Sequence, residues 1–309
     1  MSVLCVGSVA WDSVETPFGR ADRVLGGSAL FFAAAATLFG PVQLVGVVGD
    51  DIASEDMDFL AERGADLTGI ERRAGESFFW AGRYHYDLNT RETIETRLGV
   101  FADFDPKIPE AFRSARYVFL GNIDPVLQLR VLDQVTDPRI VACDTMDFWI
   151  DSRARELGEL LERVNILMVN DAELRQLAGE PNLIKAAGWV RERGTDMVVV
   201  KKGEHGAILL ADSLVFFVPG YPLERVFDPT GAGDSFAGGF LGYLAYVDST
   251  AAEDLRRGMV YGSVLGSFAV ERFSVDRLRD LTMDEVQQRV RAFRRMTAFE
   301  APIEVAESV

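Results

Sequence analysis

Short apolar runs alternate with helical segments along most of this 309-residue chain. The apolar runs have the length of buried strands, and segments of helical length separate them. Strands are predicted at residues 3–7, 42–48, 117–120, 140–143, 166–169, 197–200 and 207–210. Such alternation predicts right-handed crossovers and a mainly parallel sheet that helices cover on both faces. The expected fold is therefore a single α/β domain over residues 1–309.

Two stretches interrupt this alternation. Residues 78–86 and 93–101 alternate between apolar and polar side chains, with Asn89 and Thr90 between them as a turn, which predicts an antiparallel hairpin. The hairpin is expected to form a lid over the open end of the sheet, where ligands bind in such folds. Residues 16–24 are a candidate further strand, so the lid segments are placed at about 14–24 and 76–102.

Composition argues against several classes of protein. The net charge is -16 and the pI ≈ 4.6, whereas binding to nucleic-acid phosphates needs a basic surface. No apolar run reaches the roughly 20 residues that span a bilayer, and Asp12 and Glu15 interrupt the start, where a signal peptide would be apolar. Cys5 and Cys143 lie in strand-like runs, which predicts buried, reduced thiols in a cytoplasmic protein. The segment after Thr297 is expected to be loosely held.

A glycine-rich turn precedes a helix near the C-terminus. Residues 228–240 read Asp-Pro-Thr-Gly-Ala-Gly-Asp-Ser-Phe-Ala-Gly-Gly-Phe. Gly231 and Gly233 allow positive φ and a close approach to a ligand. The first N–H groups of a helix have no partner within it and attract anions such as phosphate. Asp234 at the edge of this turn could accept a proton from an attacking hydroxyl, and the helix N-terminus should favour its ionised form.

This segment resembles the C-terminal signature of the PfkB/ribokinase family of carbohydrate and nucleoside kinases. Gly26 and Gly27, followed by a helix rich in small residues, are similar to the family's N-terminal signature, and the similarity covers essentially the whole chain. The resemblance implies a ribokinase-like fold and transfer of the ATP γ-phosphoryl group to a hydroxyl of a sugar. It also implies Asp234 as the catalytic base, and the amides of Gly231, Ala232 and Gly233 as the anion hole.

The resemblance further implies sites for the nucleotide and for metal ions. Asn170 and Glu173 match an element that acts near magnesium, largely through water, and they also form a plausible helix capping box. Asp228 and Thr230 match positions that help to bind a monovalent cation such as potassium, although they also suit a turn. The expected nucleotide-binding residues are Asn170, Glu173, Lys201, Lys202, Gly203, Gly206, Gly231 and Gly233. For the two lysines, a solvated strand end is an equally good interpretation.

The acceptor is expected near the N-terminal signature. Asp12 matches the family's substrate carboxylate, and Gly26 and Gly27 match backbone that contacts the substrate. Asn122 follows the strand predicted at 117–120 and could line the same pocket. Phe31 is also expected to contact the substrate. It stands where many sugar kinases of the family have asparagine, but its ring cannot hydrogen-bond a hydroxyl.

Aromatic residues keep a nucleoside open as an alternative acceptor, and a non-catalytic sugar or nucleotide sensor is a second alternative. The roles of Trp80, Tyr84 and Tyr86 in the lid are open, and alternation places the two tyrosines on one face. They could face substrate, solvent or a partner, and the resemblance implies a homodimer formed through the lid. A nicotinamide-dependent oxidoreductase is disfavoured because the Gly-x-Gly-x-x-Gly spacing is missing.

Overall fold

The computed structural model describes residues 1–298, so the prediction for the segment after Thr297 falls outside it except at Ala298. The strands are β1 Val3–Val6, β2 Ala10–Thr16, β3 Gly19–Gly26, β4 Val42–Val48, β5 Asp66–Arg72, β6 Phe78–Tyr84, β7 Arg91–Arg97, β8 Tyr117–Leu120, β9 Ile140–Asp144, β10 Ile166–Asn170, β11 Met197–Lys201, β12 Ala207–Leu210 and β13 Val215–Val218. The α-helices are α1 Ser28–Ala36, α2 Asp58–Glu62, α3 Pro125–Leu132, α4 Asp147–Ser152, α5 Ala154–Leu161, α6 Asp171–Ala178, α7 Leu183–Arg191, α8 Ala232–Val247, α9 Ala252–Ala269, α10 Asp276–Arg279 and α11 Met283–Thr297.

Within the described residues, nine strands form the central sheet in the order β13-β12-β11-β10-β9-β8-β1-β4-β5. All neighbours pair in parallel except β11 with β12 and β12 with β13, which are antiparallel. Strands β1, β8 and β9 are buried at every position, as expected where helices cover both faces of a parallel sheet. The predicted ribokinase-like α/β fold is confirmed.

The lid is a separate sheet of four strands in the order β3-β2-β6-β7. The predicted hairpin is present as β6 and β7, which pair antiparallel. The further lid strand predicted at 16–24 is present as β3, at Gly19–Gly26. Strand β2 was not predicted: it forms a second hairpin with β3 and pairs with β6 in parallel. Asp12 therefore lies inside a strand of the lid rather than in a turn after β1. Tyr84 and Tyr86 do not share a face, since β6 ends at Tyr84 and Tyr86 is 85% exposed beyond it.

Helices α1 and α8 pack closely because small residues face each other. A Cβ on Gly238 would lie 2.4 Å from the carbonyl oxygen of Phe32, and a Cβ on Gly242 would lie 3.1 Å from Cα of Ala36. Only glycine at these positions of α8 permits this approach without a shift of the backbone. The packing fixes the N-terminus of α8, with its glycine turn, beside the first turns of α1.

The remaining predictions on the chain concern cysteines and membrane segments. Cys5 and Cys143 are both free thiols and both buried, as predicted. No helix in residues 1–298 combines the length and the apolar character that are needed to cross a bilayer.

Candidate active site

The glycine turn has the left-handed backbone that its sequence predicts. Gly231 caps α8 with φ 73° and ψ 0°, and the helix begins at Ala232. A Cβ on Gly231 would lie 2.2 Å from Cγ of Phe31, whose side chain is only 1% exposed. The ring of Phe31 therefore packs directly against the glycine turn. Its predicted contact with the substrate stays a prediction.

Asp234 lies in the first turn of α8, where it is partly exposed. It borders the space between the glycine turn and the lid, which is called the cleft. Burial of the carboxyl group raises the pKa of Asp234 to about 7, and the negative charge of Asp144 adds to the increase. The positive charges of Lys201 and Arg91 oppose it. The helix N-terminus was expected to favour the ionised form, but the pKa is raised instead, because desolvation outweighs the helix dipole. A pKa near 7 suits a general base at neutral pH.

Lys201 ends β11 and forms an ion pair with Asp144 at the end of β9. Lys201 Nζ lies 2.5 Å from Asp144 Oδ2, and the two side chains are 17% and 7% exposed. The same Nζ lies 3.0 Å from the position of a Cβ on Gly233, so the ammonium group touches the glycine turn. The interpretation of Lys201 as a solvated strand end is wrong. The charges of Asp144 and Glu173 help to keep the pKa of Lys201 raised despite its burial.

Asn170 and Glu173 form the predicted capping box at the start of α6. Glu173 N donates to Asn170 Oδ1 at 2.7 Å, and Asn170 N donates to Glu173 Oε2 at 2.8 Å. Asn170 is paired with Lys201 in the sheet. Burial and the charge of Asp144 raise the pKa of Glu173 to about 7, against the effect of Lys201.

One lysine thus lies among three carboxylates, those of Asp144, Glu173 and Asp234. Within residues 1–298 no three such side chains are close enough together to hold a metal ion by themselves. The negative charge suits a divalent cation that brings oxygen ligands of its own, such as phosphates and water. The capping box leaves Oε1 of Glu173 without a protein donor in the described residues. A hydrated magnesium ion bound to phosphates can be held by a single carboxylate oxygen such as Glu173 Oε1.

Asp12 lies on the face of β2 that is turned towards the cleft. Its carboxyl group is 5% exposed and accepts a hydrogen bond from the backbone of Gly27, which has φ 97°. Any side chain on Gly26 would collide with it, since a Cβ there would lie 1.9 Å from Asp12 Oδ2. Burial, followed by the charges of Asp228 and Asp234, raises the pKa of Asp12 to about 8. The structure thus brings Asp12, Gly26, Gly27 and Asp234 to one cleft.

Asp228 and Thr230 form the approach to the glycine turn. Asp228 Oδ1 accepts from Thr230 N at 2.8 Å, and Oδ2 accepts from Ser274 N at 3.3 Å. This is turn chemistry, as one interpretation of the sequence predicted. Burial raises the pKa of Asp228. The Thr230 hydroxyl donates to the hydroxyl of Tyr84 at 3.3 Å and so connects the turn to the lid.

The loop that is expected to bind the nucleotide, residues 202–206, follows β11 and is called the nucleotide loop. Gly203 and Gly206 both have positive φ, at 54° and 88°. A Cβ on Gly206 would lie 2.0 Å from the carbonyl oxygen of Val218, so this position requires glycine. Lys202 is half-buried and its N–H donates to Gly206 O at 2.8 Å.

Asn122 has a partner that the sequence did not indicate. Its Oδ1 accepts from Trp149 Nε1 at 3.1 Å, so contact with an acceptor stays a prediction. Sequence reasoning also gave no role to Asp144 or Arg91. Their positions carried a signal, because Asp144 ends a buried strand and Arg91 begins the second strand of the lid hairpin.

Comparison with known proteins agrees with this geometry. Residues 3–279 match the description "pfkB family carbohydrate kinase". The chain belongs to the PfkB family. It is therefore a phosphotransferase whose acceptor is an alcohol group of a sugar or nucleoside.

One relative in sequence and two solved structures of similar fold illustrate the match. A cytidine kinase of Thermococcus kodakarensis is 31% identical over 252 residues, which cover 78% of this chain and 87% of the relative. Aminoimidazole riboside kinase from Salmonella enterica, solved with aminoimidazole riboside and an ATP analog, has a TM-score of 0.74 at 21% identity, with 94% and 100% of the two chains covered. A putative ribokinase II from E. coli, solved with ATP and Mg+2, has a TM-score of 0.76 at 19% identity, with 94% and 99% covered.

Proposed function

We propose that this PfkB kinase transfers the γ-phosphoryl group of ATP to a hydroxyl of a sugar, with Asp234 as the base. The observation that carries the proposal is the convergence of Asp12 and Asp234 beside a left-handed glycine turn that Lys201 contacts. The turn offers N–H groups to an anion, and the two carboxyl groups offer partners for hydroxyls. Asn170, Glu173, Lys202, Gly203 and Gly206 form the nucleotide side of the cleft.

Each residue of the site acts on one part of the reaction. Asp12 binds acceptor hydroxyls, and Asp234 takes the proton from the hydroxyl that attacks the γ-phosphorus. The N–H groups of Gly231, Ala232 and Gly233 stabilise charge on the transferring group. Lys201 opposes the rise in the pKa of Asp234 and thus keeps a larger fraction of the base ionised.

Magnesium fits this site as a cation bound to the ATP phosphates. When bound, it neutralises phosphate charge and holds the phosphates in place. Glu173 would bind it, largely through water, and Asn170 orients Glu173 through the capping box. Potassium at Asp228 and Thr230 is a separate proposal, supported by a buried carboxylate whose hydrogen-bond donors are neutral N–H groups. A titration of activity with potassium against a tetramethylammonium control tests it.

A nucleoside is the second candidate acceptor. Trp80 pairs with Asp12 in the lid sheet, and its ring lies 2.2 Å from the position of a Cβ on Gly82, so the indole covers the bare backbone there. Such a half-buried ring on the same face as Asp12 offers a stacking surface for a base. The cytidine kinase among the relatives supports this candidate.

An acceptor screen with magnesium-ATP tests the function. ADP release is measured with ribose, a fructose-type sugar, cytidine and adenosine, and product is confirmed by mass spectrometry. We expect the wild type to phosphorylate one of these acceptors. Asp234→Asn should lower kcat by about 10²–10⁴-fold and retain nucleotide binding. Near-normal kcat in Asp234→Asn would remove the base from its role. Ligand binding without phosphorylation of any acceptor would favour the sensor.

We also propose a cytoplasmic homodimer formed through the lid. Every residue of β7 is exposed, and Ile94 and Leu98 are about half exposed. An exposed edge strand with apolar side chains is a surface that another chain can cover. Light scattering on the wild type and on Ile94→Glu tests the dimer, which the substitution should dissociate.

A further inference from the structure

The lid contacts both sides of the cleft. At its tip, Asn89 Nδ2 donates to Glu204 Oε2 at 2.7 Å, so the lid touches the nucleotide loop. At the end of β6, Tyr84 meets Thr230 beside the glycine turn. Asp87 fixes the turn between these contacts, since its Oδ1 accepts from Thr90 N at 2.9 Å. The first residue of β7 is thereby held above the site of phosphoryl transfer.

That residue is Arg91, which pairs directly with Tyr84 across the hairpin. Directly opposed residues of an antiparallel pair project from the same face, so Arg91 and Tyr84 both face the cleft. Arg91 Cζ lies 5.8 Å from the centre of the Trp80 ring, on that face. Its positive charge lowers the pKa values of both Asp234 and Glu173. The guanidinium group is therefore on the cleft face of the lid and close enough to both carboxyl groups for its charge to act on them.

Arg91 also differs from the other lid arginines in its partners. Arg20, Arg23, Arg83 and Arg97 pair with Asp22, Asp51, Glu15 and Glu95. Within residues 1–298, no carboxylate lies within ion-pair distance of Arg91. A cation held by its strand above a cleft, and without an anionic protein partner, is a fit for a phosphate ligand.

We propose that Arg91 is a further catalytic residue, which binds the γ-phosphoryl group during transfer. The inference rests on the proposed function. The acceptor oxygen forms a bond to the γ-phosphorus, the bond to the β–γ bridging oxygen breaks, the hydroxyl proton passes to Asp234, and ADP leaves. Arg91 donates N–H groups to non-bridging oxygens of the transferring group and neutralises their charge. The contact between Asn89 and Glu204 fixes the tip of the lid on the loop after β11, and so holds Arg91 over the site.

Arg91→Gln tests the proposal, with Arg97→Gln as the matched control. Arg97 lies on the same strand but stacks on Phe79, at 4.4 Å, and pairs with Glu95. We expect Arg91→Gln to lower kcat by about 10²–10³-fold, as for loss of one charge-stabilising donor, with a small change in KM for ATP. Arg97→Gln should stay within about threefold of the wild type. Arg91→Lys should recover part of the loss, because lysine keeps the charge but not the paired donors.

A second readout does not depend on the acceptor. Magnesium-ADP with aluminium fluoride mimics the transferring group, and its affinity is measured by calorimetry. We expect Arg91→Gln to weaken this complex at least tenfold more than it weakens magnesium-ADP alone. Equal losses for the two ligands, or equal kcat in Arg91→Gln and Arg97→Gln, would overturn the role of Arg91. An inactive Asp234→Asn beside an unaffected Arg91→Gln would leave the proposed function standing without it.

Discussion

Replacing the base should stabilise the folded protein at alkaline pH. Asp234→Asn removes a carboxyl group whose pKa is raised from 3.8 to about 7 by burial and by Asp144. The folded state therefore binds this proton more tightly than the unfolded chain does. Stability from this group is complete below pH 4, declines as the pH rises, and is lost above pH 7, where the folded carboxylate is ionised. Asparagine does not ionise, so the variant does not lose this stability as the pH rises.

The magnitude follows from the pKa difference. A rise from 3.8 to about 7 corresponds to about 4 kcal/mol, at about 1.4 kcal/mol per unit. Because Asp234 borders the cleft and is partly exposed, water reduces this cost, and we expect Asp234→Asn to raise the free energy of unfolding by about 2 kcal/mol at pH 8.5. The gain should shrink to about half of that value at pH 4.5, where part of the unfolded chain's Asp234 is protonated as well.

Urea unfolding followed by tryptophan fluorescence measures this difference at both pH values. The control is Asp58→Asn, an exposed acidic residue in the first turn of α2, which should change the free energy of unfolding by less than about 0.5 kcal/mol at either pH. An Asp234→Asn variant that is no more stable than the wild type at pH 8.5 would refute the reasoning. So would a gain that does not depend on pH.

Three further outcomes are expected. Gly231→Ala should lower the free energy of unfolding by about 2–4 kcal/mol in urea titrations, because it adds strain at φ 73° and a clash with Phe31. Lys201→Met should cost about 3–5 kcal/mol in the same assay by leaving Asp144 buried without its partner, and Lys201→Met with Asp144→Asn should recover most of it. A plot of kcat/KM for ATP against pH should rise through about pH 7 as Asp234 loses its proton, and the rise should move to higher pH in Lys201→Met; a profile flat from pH 6 to 8 would contradict this.

Much of the fold could be predicted because local pattern and burial agree. Strands β4, β8 and β12 begin and end where their apolar runs do. The glycine turn was equally readable, since only glycine tolerates the left-handed backbone at Gly231. The identity of Asp234 as the acid of that turn followed from its place in the helix.

The lid was harder to predict because its strands are only partly buried. Strand β3 is mostly exposed, so its residues have no clear alternation. Only Pro17 and Phe18 separate it from β2. The ion pair between Lys201 and Asp144 joins two strands separated by 57 positions, and no local pattern records such a distance. Burial is the main cause of the raised pKa of Asp234, and burial depends on tertiary contacts, so the sequence alone gave the wrong direction.

The carboxylate proposed to hold the acceptor and the proposed base are mounted on different parts of the molecule. Asp12 is built into β2 of the four-stranded sheet, whereas Asp234 is anchored to the domain body through α8. A rotation of this sheet relative to the domain body would move a bound polyol together with Asp12. The distance between Asp12 and Asp234 would then determine when the reaction can start. Water offers no second hydroxyl for Asp12 to hold. Movement of the sheet would therefore not bring water to Asp234. The position of Asp12 on the lid would in this way protect ATP from hydrolysis.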